Sequence, residues 1–153
     1  MNAVYERIEH ILSENPFFED FDADERDFFA RQMSLRSFPE KSMIVQKEEQ
    51  GSFLFFVVDG EVEVRLEGSD LKQIIVATLG RGACAGEMSI IDDYPRSATI
   101  TTAKPSELLL LTKSRLDSIC NENPKLGLKF VKGLNKSLSM KLRQTTGQYA
   151  DIA

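Results

Sequence analysis

The sequence predicts an α+β, mainly β fold, with an antiparallel β-barrel or sandwich in the middle of the chain and helices at both ends. From Ser42 to Leu111, short runs rich in Val, Ile, Phe and Thr are separated by Gly-containing turns at fairly regular intervals, the pattern of compact antiparallel β structure. On either side of this stretch, apolar residues recur every three or four positions, the period of a helix. The chain has 153 residues, 42% hydrophobic and 28% charged. That suits one globular domain over 1–153 with its own core, and it is too short for two ordinary domains.

Val4, Ile8, Ile11 and Leu12 lie at helical spacing before Asn15-Pro16 breaks the pattern, so a short packing helix is expected over 2–14. Asp22 is placed to cap a second helix over 23–32, with Phe28 and Phe29 turned inward and Glu25, Arg26 and Arg31 in water. Phe17, Phe18 and Phe21 read as core plugs. Strands are expected over 43–46, 53–58, 61–66, 73–79, 97–103 and 107–111. In the third of these, Glu61-Val62-Glu63-Val64-Arg65-Leu66, strict alternation puts three apolar side chains on one face and three charges on the other. Asp59-Gly60 is a hairpin signal, because glycine takes the positive φ of a tight turn; Gly80-Arg81-Gly82 marks another turn.

The helical period returns with Leu116 and Ile119 in a short helix. Pro124 then opens a long one in which Leu126, Phe130, Leu134, Leu138 and Leu142 recur every four residues, with Val131 beside them, to about residue 146. This stripe is suited to covering the barrel or meeting a second subunit.

A net charge of −5 disfavours a dedicated DNA binder, which needs a concentrated basic face. The charge is nevertheless uneven. Lys125, Lys129, Lys132, Lys136, Lys141 and Arg143 occupy a stretch without acids, read as a solvated helix face complementing an acidic body, with an anionic partner as the alternative. No signal sequence or membrane-spanning run is apparent, so a cytoplasmic protein is expected. Cys84 and Cys120 are isolated thiols, read as free. His10 is the only histidine and sits on a packing helix, so no Ser/His/Asp or Cys/His set forms around it; no catalytic residue is assigned. Asp92 and Asp93 read as turn residues rather than metal ligands.

The segment Gly86-Glu87-Met88-Ser89-Ile90-Ile91-Asp92-Asp93-Tyr94-Pro95-Arg96-Ser97-Ala98-Thr99 carries the chemistry. A cyclic phosphodiester bears one negative charge, and in a pocket that excludes water an arginine with several fixed donors suits it better than a flexible lysine. Arg96 is the candidate. A short helix over 87–92 would aim its first N–H groups, around Met88 and Ser89, at the same anion, and Gly86 lets that backbone come close. A carboxylate repels phosphate, so Glu87 makes sense facing a ribose hydroxyl on the other side of the ligand, which would favour ribose over deoxyribose.

The Gly-Glu pair, the small residue two places on, the spacing and the Pro-Arg-Ser-Ala-Thr ending together resemble the phosphate-binding cassette of the cyclic-nucleotide-binding domain family, which includes catabolite activators, protein-kinase regulatory subunits and gated channels. The resemblance runs from about Phe17 to about Gln144. It implies a β-roll of the jelly-roll type between N-terminal helices and a long C-terminal helix. It also implies that Ser97 and Ala98 touch the phosphate edge, and that Val64, Val76 and Leu79 form an apolar wall for base or sugar. Ala85 stands where the family usually has a larger apolar residue, which would loosen that side of the pocket.

Ser97 follows the arginine as in bacterial cyclic-AMP sensors, favouring cyclic AMP over cyclic GMP. Thr145 and Thr146 lie near positions from which activators reach the base. Haem and iron–sulfur cofactors, carried by some related activators, are not expected with one histidine and no N-terminal cysteine cluster. The run from Met1 to Ala153 is read as a complete, stand-alone sensor, with no room for a winged helix-turn-helix and no direct DNA binding. Its output would pass through the C-terminal helix to a homodimer partner or an unidentified protein effector. The alternative is an interaction domain of the same fold that no longer binds cyclic nucleotide.

Overall fold

The computed structural model describes residues 3–152, with side chains over 3–147. The elements run in the order α1 (Ala3–Glu14), a 3-10 turn (Pro16–Phe18), α2 (Ala23–Ala30), β1 (Ser34–Phe38), β2 (Met43–Val45), β3 (Phe53–Asp59), β4 (Val62–Glu67), β5 (Gln73–Leu79), β6 (Cys84–Ala85), α3 (Glu87–Asp92), β7 (Thr99–Thr102), β8 (Ser106–Thr112), α4 (Lys113–Glu122) and α5 (Pro124–Ile152). Two compact units contain them, 1–115 and 116–153.

In the first unit the strands form two four-stranded antiparallel sheets, ordered β1-β8-β3-β6 and β2-β7-β4-β5. Inner faces from both sheets make one core: Phe55, Val57, Ala85 and Leu108 from the first meet Val45, Val62 and Ile100 from the second. β3 and β8 are apolar on both faces, which is why they read as unbroken runs, Phe-Leu-Phe-Phe-Val-Val and Leu-Leu-Leu-Leu, rather than as alternation. The odd-numbered Phe55 and Val57 enter the roll core. Leu54 and Phe56 point the other way and are also fully buried.

That second face meets the aromatic residues of the N-terminal segment. Phe18 stacks against Phe17, Phe21, Phe29 and Phe56 at centroid distances of 4.9, 5.1, 6.1 and 5.5 Å. Asn15 starts the 3-10 turn by accepting the Phe17 N–H at 3.0 Å. Asp22 caps α2 in a full capping box with Glu25, the two reciprocal bonds measuring 2.8 and 3.0 Å. The box leaves Glu25 half-buried instead of wet. Arg26 is half-buried as well, donating to Glu9 and to the Phe21 carbonyl. α2 stops at Ala30, and Phe28 is only half-buried. Of the first helix expected over 2–14, residue 2 lies outside the described residues.

Several strand expectations are corrected. β1 and β6 were not anticipated. Asp59-Gly60 does make a tight turn, with Gly60 at φ 96°, but it joins no hairpin. β3 pairs with β8 and β6, β4 pairs with β5 and β7, so the chain crosses from one sheet to the other at this corner. A side chain on Gly60 would run into Ser106 and lie 2.7 Å from the Pro105 carbonyl oxygen. β4 does not show clean alternation either: Glu63 and Arg65 are half-buried and bond to each other at 2.8 Å, while Leu66 is exposed.

In the second unit, Leu116, Ile119, Leu126, Phe130 and Leu134 are buried. The apolar stripe fades along α5: Val131 and Leu138 are half-buried and Leu142 is exposed. Gly127 is required where α5 passes Cys120, since a Cβ there would sit 2.7 Å from the Cys120 Cα. Among the described residues, no helix is long and apolar enough to cross a membrane.

Phe18 is the hub of the aromatic cluster, and its ring is fully enclosed. Phe18→Ala is expected to lower the stability of the first unit by about 3–5 kcal/mol, read as a shift in the urea midpoint of unfolding.

Candidate functional site

Gly86 opens α3 in the left-handed conformation, φ 82°, and Asp93 closes it at φ 62°. The six residues between them form the short helix expected from the sequence. The chain then runs through Tyr94 and Pro95 to Arg96, which sits just before β7. Its backbone is pinned to the turn ahead of β3: the Arg96 N–H donates to the Glu49 carbonyl at 2.8 Å, and the Glu48 N–H donates to the Arg96 carbonyl at 2.9 Å. From the same turn, Gln50 donates its side-chain amide to the Asp93 carbonyl at 3.2 Å. Asp93 in turn pairs with Lys113, the first residue of α4.

The Arg96 side chain folds back into the roll and is only 6% exposed. Nη1 donates to the Gly86 carbonyl and Nη2 to the Phe53 carbonyl, both at 2.7 Å. The guanidinium carbon lies 5.2 Å from the centroid of the Phe53 ring, a cation–π distance. Burial pushes the guanidinium below the ordinary arginine range, and the carboxylates of Glu49 and then Glu87 act against that shift. Arginine starts so high that the group stays cationic at neutral pH.

Two glycines make this packing possible. A Cβ on Gly86 would stand 2.9 Å from Arg96 Nη1, and one on Gly51 would collide with the Ser89 Cβ while sitting 3.3 Å from Arg96 Cζ and Nε. Glu87, the first residue of α3, is 2% exposed and close enough for its charge to act on Arg96. Ser89 is buried, Met88 and Ser97 are exposed, and Ala98 is half-buried. Gly86, Glu87, Ser89 and Arg96 are therefore drawn into one enclosed cluster, with Met88 and Ser97 at its surface.

The cluster is thus an arginine and a glutamate buried beside a six-residue helix on a two-sheet roll. Residues 35–123, more than half of the chain, match the family of the cyclic nucleotide-binding domain. The chain belongs to that family.

This cyclic-nucleotide-binding domain is 32% identical over 101 residues to a cAMP-dependent protein kinase regulatory subunit of Mycosarcoma maydis, covering 66% of this chain and 18% of the relative. It is 27% identical over 128 residues to the cAMP-activated global transcriptional regulator CRP of Haemophilus influenzae, covering 83% of this chain and 55% of the relative. The chain thus spans less than two thirds of the length of these curated relatives. A crystal structure of a cyclic nucleotide-binding domain from Methylobacillus flagellatus superposes with a TM-score of 0.86 at 27% identity, over 97% of this chain and 84% of the other. The Thermus thermophilus catabolite activator protein shares the fold, with a TM-score of 0.77 at 24% identity over 90% of this chain and 63% of the other.

Within this cyclic-nucleotide-binding domain the four wall candidates do not stay together. Val64 and Leu79 pack on the roll core and Ala85 is part of it. Val76 is 48% exposed. The pairing of β4 with β5 shifts between Val64/Ala77 and Arg65/Ile75, which leaves Val76 as the extra residue of a bulge, in a strand exposed throughout Gln73 to Thr78. Thr145 and Thr146 use their hydroxyls on the carbonyls of Lys141 and Leu142, one turn back along α5, at 3.0 and 2.9 Å. Glu49, Gly51 and Phe53 surround Arg96 without having been singled out from the sequence. Gly51, the lone glycine ahead of a strand, was the one available signal.

Neither cysteine is in a disulfide: Cys84 is buried in β6 and Cys120 half-buried in α4. Desolvation, and after it the charge of Asp117, push the Cys120 thiol above its ordinary range. A raised thiol holds less thiolate at pH 8, so Cys120 is expected to react with a disulfide reagent more slowly than a small free thiol, with the rate climbing as pH rises further. Gly51→Ala is expected to lower the thermal midpoint and to disturb the Arg96 side-chain NMR signal, because its methyl group has no room beside Ser89.

Proposed function

We propose that this domain is a non-enzymatic sensor that binds a cyclic nucleotide, cyclic AMP in preference to cyclic GMP, through Arg96 and Glu87. The observation that carries the reading is the burial of a cationic Arg96 beside Gly86 and Glu87. A guanidinium has five N–H donors. Two of its nitrogens hold carbonyls here, which orients the group while leaving further N–H donors for the exocyclic oxygens of a cyclic phosphodiester. In a site this enclosed, a charge-assisted hydrogen bond is stronger than in water.

Glu87 supplies the complementary acceptor for a ribose 2′-hydroxyl. Gly86, Met88, Ser89, Ser97 and Ala98 line the phosphate side, and Val64, Leu79 and Ala85 offer an apolar surface to base or sugar, with Val76 at the edge. Support for cyclic AMP comes from relatives named as a cAMP-dependent kinase subunit and a cAMP-activated regulator, and from a likeness to the Toxoplasma gondii kinase regulatory domain solved with cAMP. His10 lies exposed on α1, its Nε2 3.2 Å from a Glu14 carboxylate oxygen. Occupancy is passed on through the C-terminal helix to a second copy or an effector. Any such relay requires the ligand to bind one arrangement of the helix more tightly than the other.

Calorimetric titration with cyclic AMP, cyclic GMP and linear AMP tests the reading. Micromolar or tighter binding that requires the cyclic phosphodiester is expected, and Arg96→Ala should weaken it by about 1.5–3 kcal/mol, roughly ten- to a hundredfold in Kd. Glu87→Ala should abolish discrimination between cyclic AMP and its 2′-deoxy analogue. Unchanged affinity in both variants would reassign the site; no binding of either cyclic nucleotide would favour the interaction domain that has lost its ligand.

A further inference from the structure

We propose that the Phe53 ring is the positioning platform for Arg96, fixing the plane of its guanidinium and so the direction in which that charge is offered to the phosphodiester. The inference rests on the reading of Arg96 as the phosphate-binding group and adds a residue to it that does not itself touch the ligand.

Phe53 holds the guanidinium twice. Its carbonyl accepts from Nη2 at 2.7 Å, and its ring lies under the guanidinium carbon at 5.2 Å. The carbonyls of Phe53 and Gly86 act on the two terminal nitrogens at the guanidinium rim. Hydrogen bonds at the rim alone leave the group able to rock out of its plane; an aromatic face removes that freedom. Gly51 completes the enclosure, with the position of its missing Cβ 3.3 Å from Cζ and Nε.

The platform is itself held still. Phe53 opens β3 opposite Thr112 of β8 and packs on the roll core, with its ring 6.4 Å from that of Phe55. A cation–π contact gains strength when the cation is desolvated, and Arg96 is buried. A role in packing alone would ask only for an apolar side chain at position 53. A platform asks for a flat π face, and that difference is what the experiment reads.

Cyclic AMP is titrated into the full chain and into Phe53→Leu, Phe53→Tyr, Arg96→Ala and the Phe53→Leu/Arg96→Ala double variant, while the Arg96 Nε–H resonance is followed by NMR in the ligand-free proteins. Phe53→Leu is expected to raise Kd about tenfold, and Phe53→Tyr to stay within about twofold of the parent. In the Arg96→Ala background the Leu substitution should add nothing, since the two residues act as a unit. The Nε–H resonance should be shifted by the ring current in the parent and in Phe53→Tyr, and lose that shift in Phe53→Leu. The proposal is overturned by parent-like binding of Phe53→Leu, by an equal loss in both backgrounds, or by a resonance indifferent to the ring. A parent that binds no cyclic AMP would remove the proposed function, and the ligand-free resonance would still decide whether Phe53 sets the arginine plane.

Discussion

The site is organised by the need to bury the positive charge of Arg96 without leaving its donors unpaired. An arginine removed from water is costly unless carbonyls or acids replace the lost hydration. Here the replacement comes from the backbone, the Gly86 and Phe53 carbonyls, together with the charges of Glu49 and Glu87. Backbone acceptors cannot swing toward a donor as side chains can. The chain segments that carry them must therefore come close to the guanidinium, and that requirement accounts for the two glycines. Gly51 and Gly86 are the places where a β-carbon would intrude. The left-handed φ of Gly86 and the crossing of the 48–51 turn over Arg96 follow from the same demand.

Fixed acceptors also need a fixed scaffold, and β3 supplies it. Because β3 is buried on both faces, it is held between the roll core and the phenylalanine cluster of the N-terminal segment. Its first residue is the one whose carbonyl and ring meet Arg96. The N-terminal helices thus contribute to the site without approaching it, by covering the outer face of the strand that positions the arginine. On the far side, the backbone bridge between Arg96 and Glu48–Glu49 keeps the cassette in register with the same turn.

The parts of this arrangement that were legible in the sequence are those encoded over a few neighbouring residues. The helix Glu87–Asp92 appears with the expected ends, because Gly86 starts it and the motif fixes the spacing to Arg96. Asp22 caps α2 as its position implied. What stayed hidden depends on partners distant in the chain. Asp59-Gly60 has the local chemistry of a hairpin, yet sheet membership is decided by pairing with residues around 107, so the turn is a corner between sheets. β1 reads as polar because it is an edge strand with no fully buried residue. β5 reads as an apolar strand, yet it is the edge of its sheet and is exposed from Gln73 to Thr78, Val76 included. Phe53 looked like the start of an ordinary strand, since the arginine it meets lies 43 residues further on.

The same geometry explains why arginine, rather than lysine, occupies position 96. Two carbonyls approach from different directions, a ring covers one face, and under the proposed function a ligand must still find donors on the remaining edge. A planar guanidinium meets all three conditions, because its donors are spread around a rigid fork and its faces are free for stacking. An ammonium has three donors on a single atom and no face to stack, so satisfying both carbonyls would draw those donors away from the anion. Burial adds a second argument. It lowers the affinity of either group for its proton, but arginine starts so far above neutrality that it keeps its charge, whereas a buried lysine readily loses it. A fold that buries its cation among backbone carbonyls and needs it charged therefore calls for arginine at position 96.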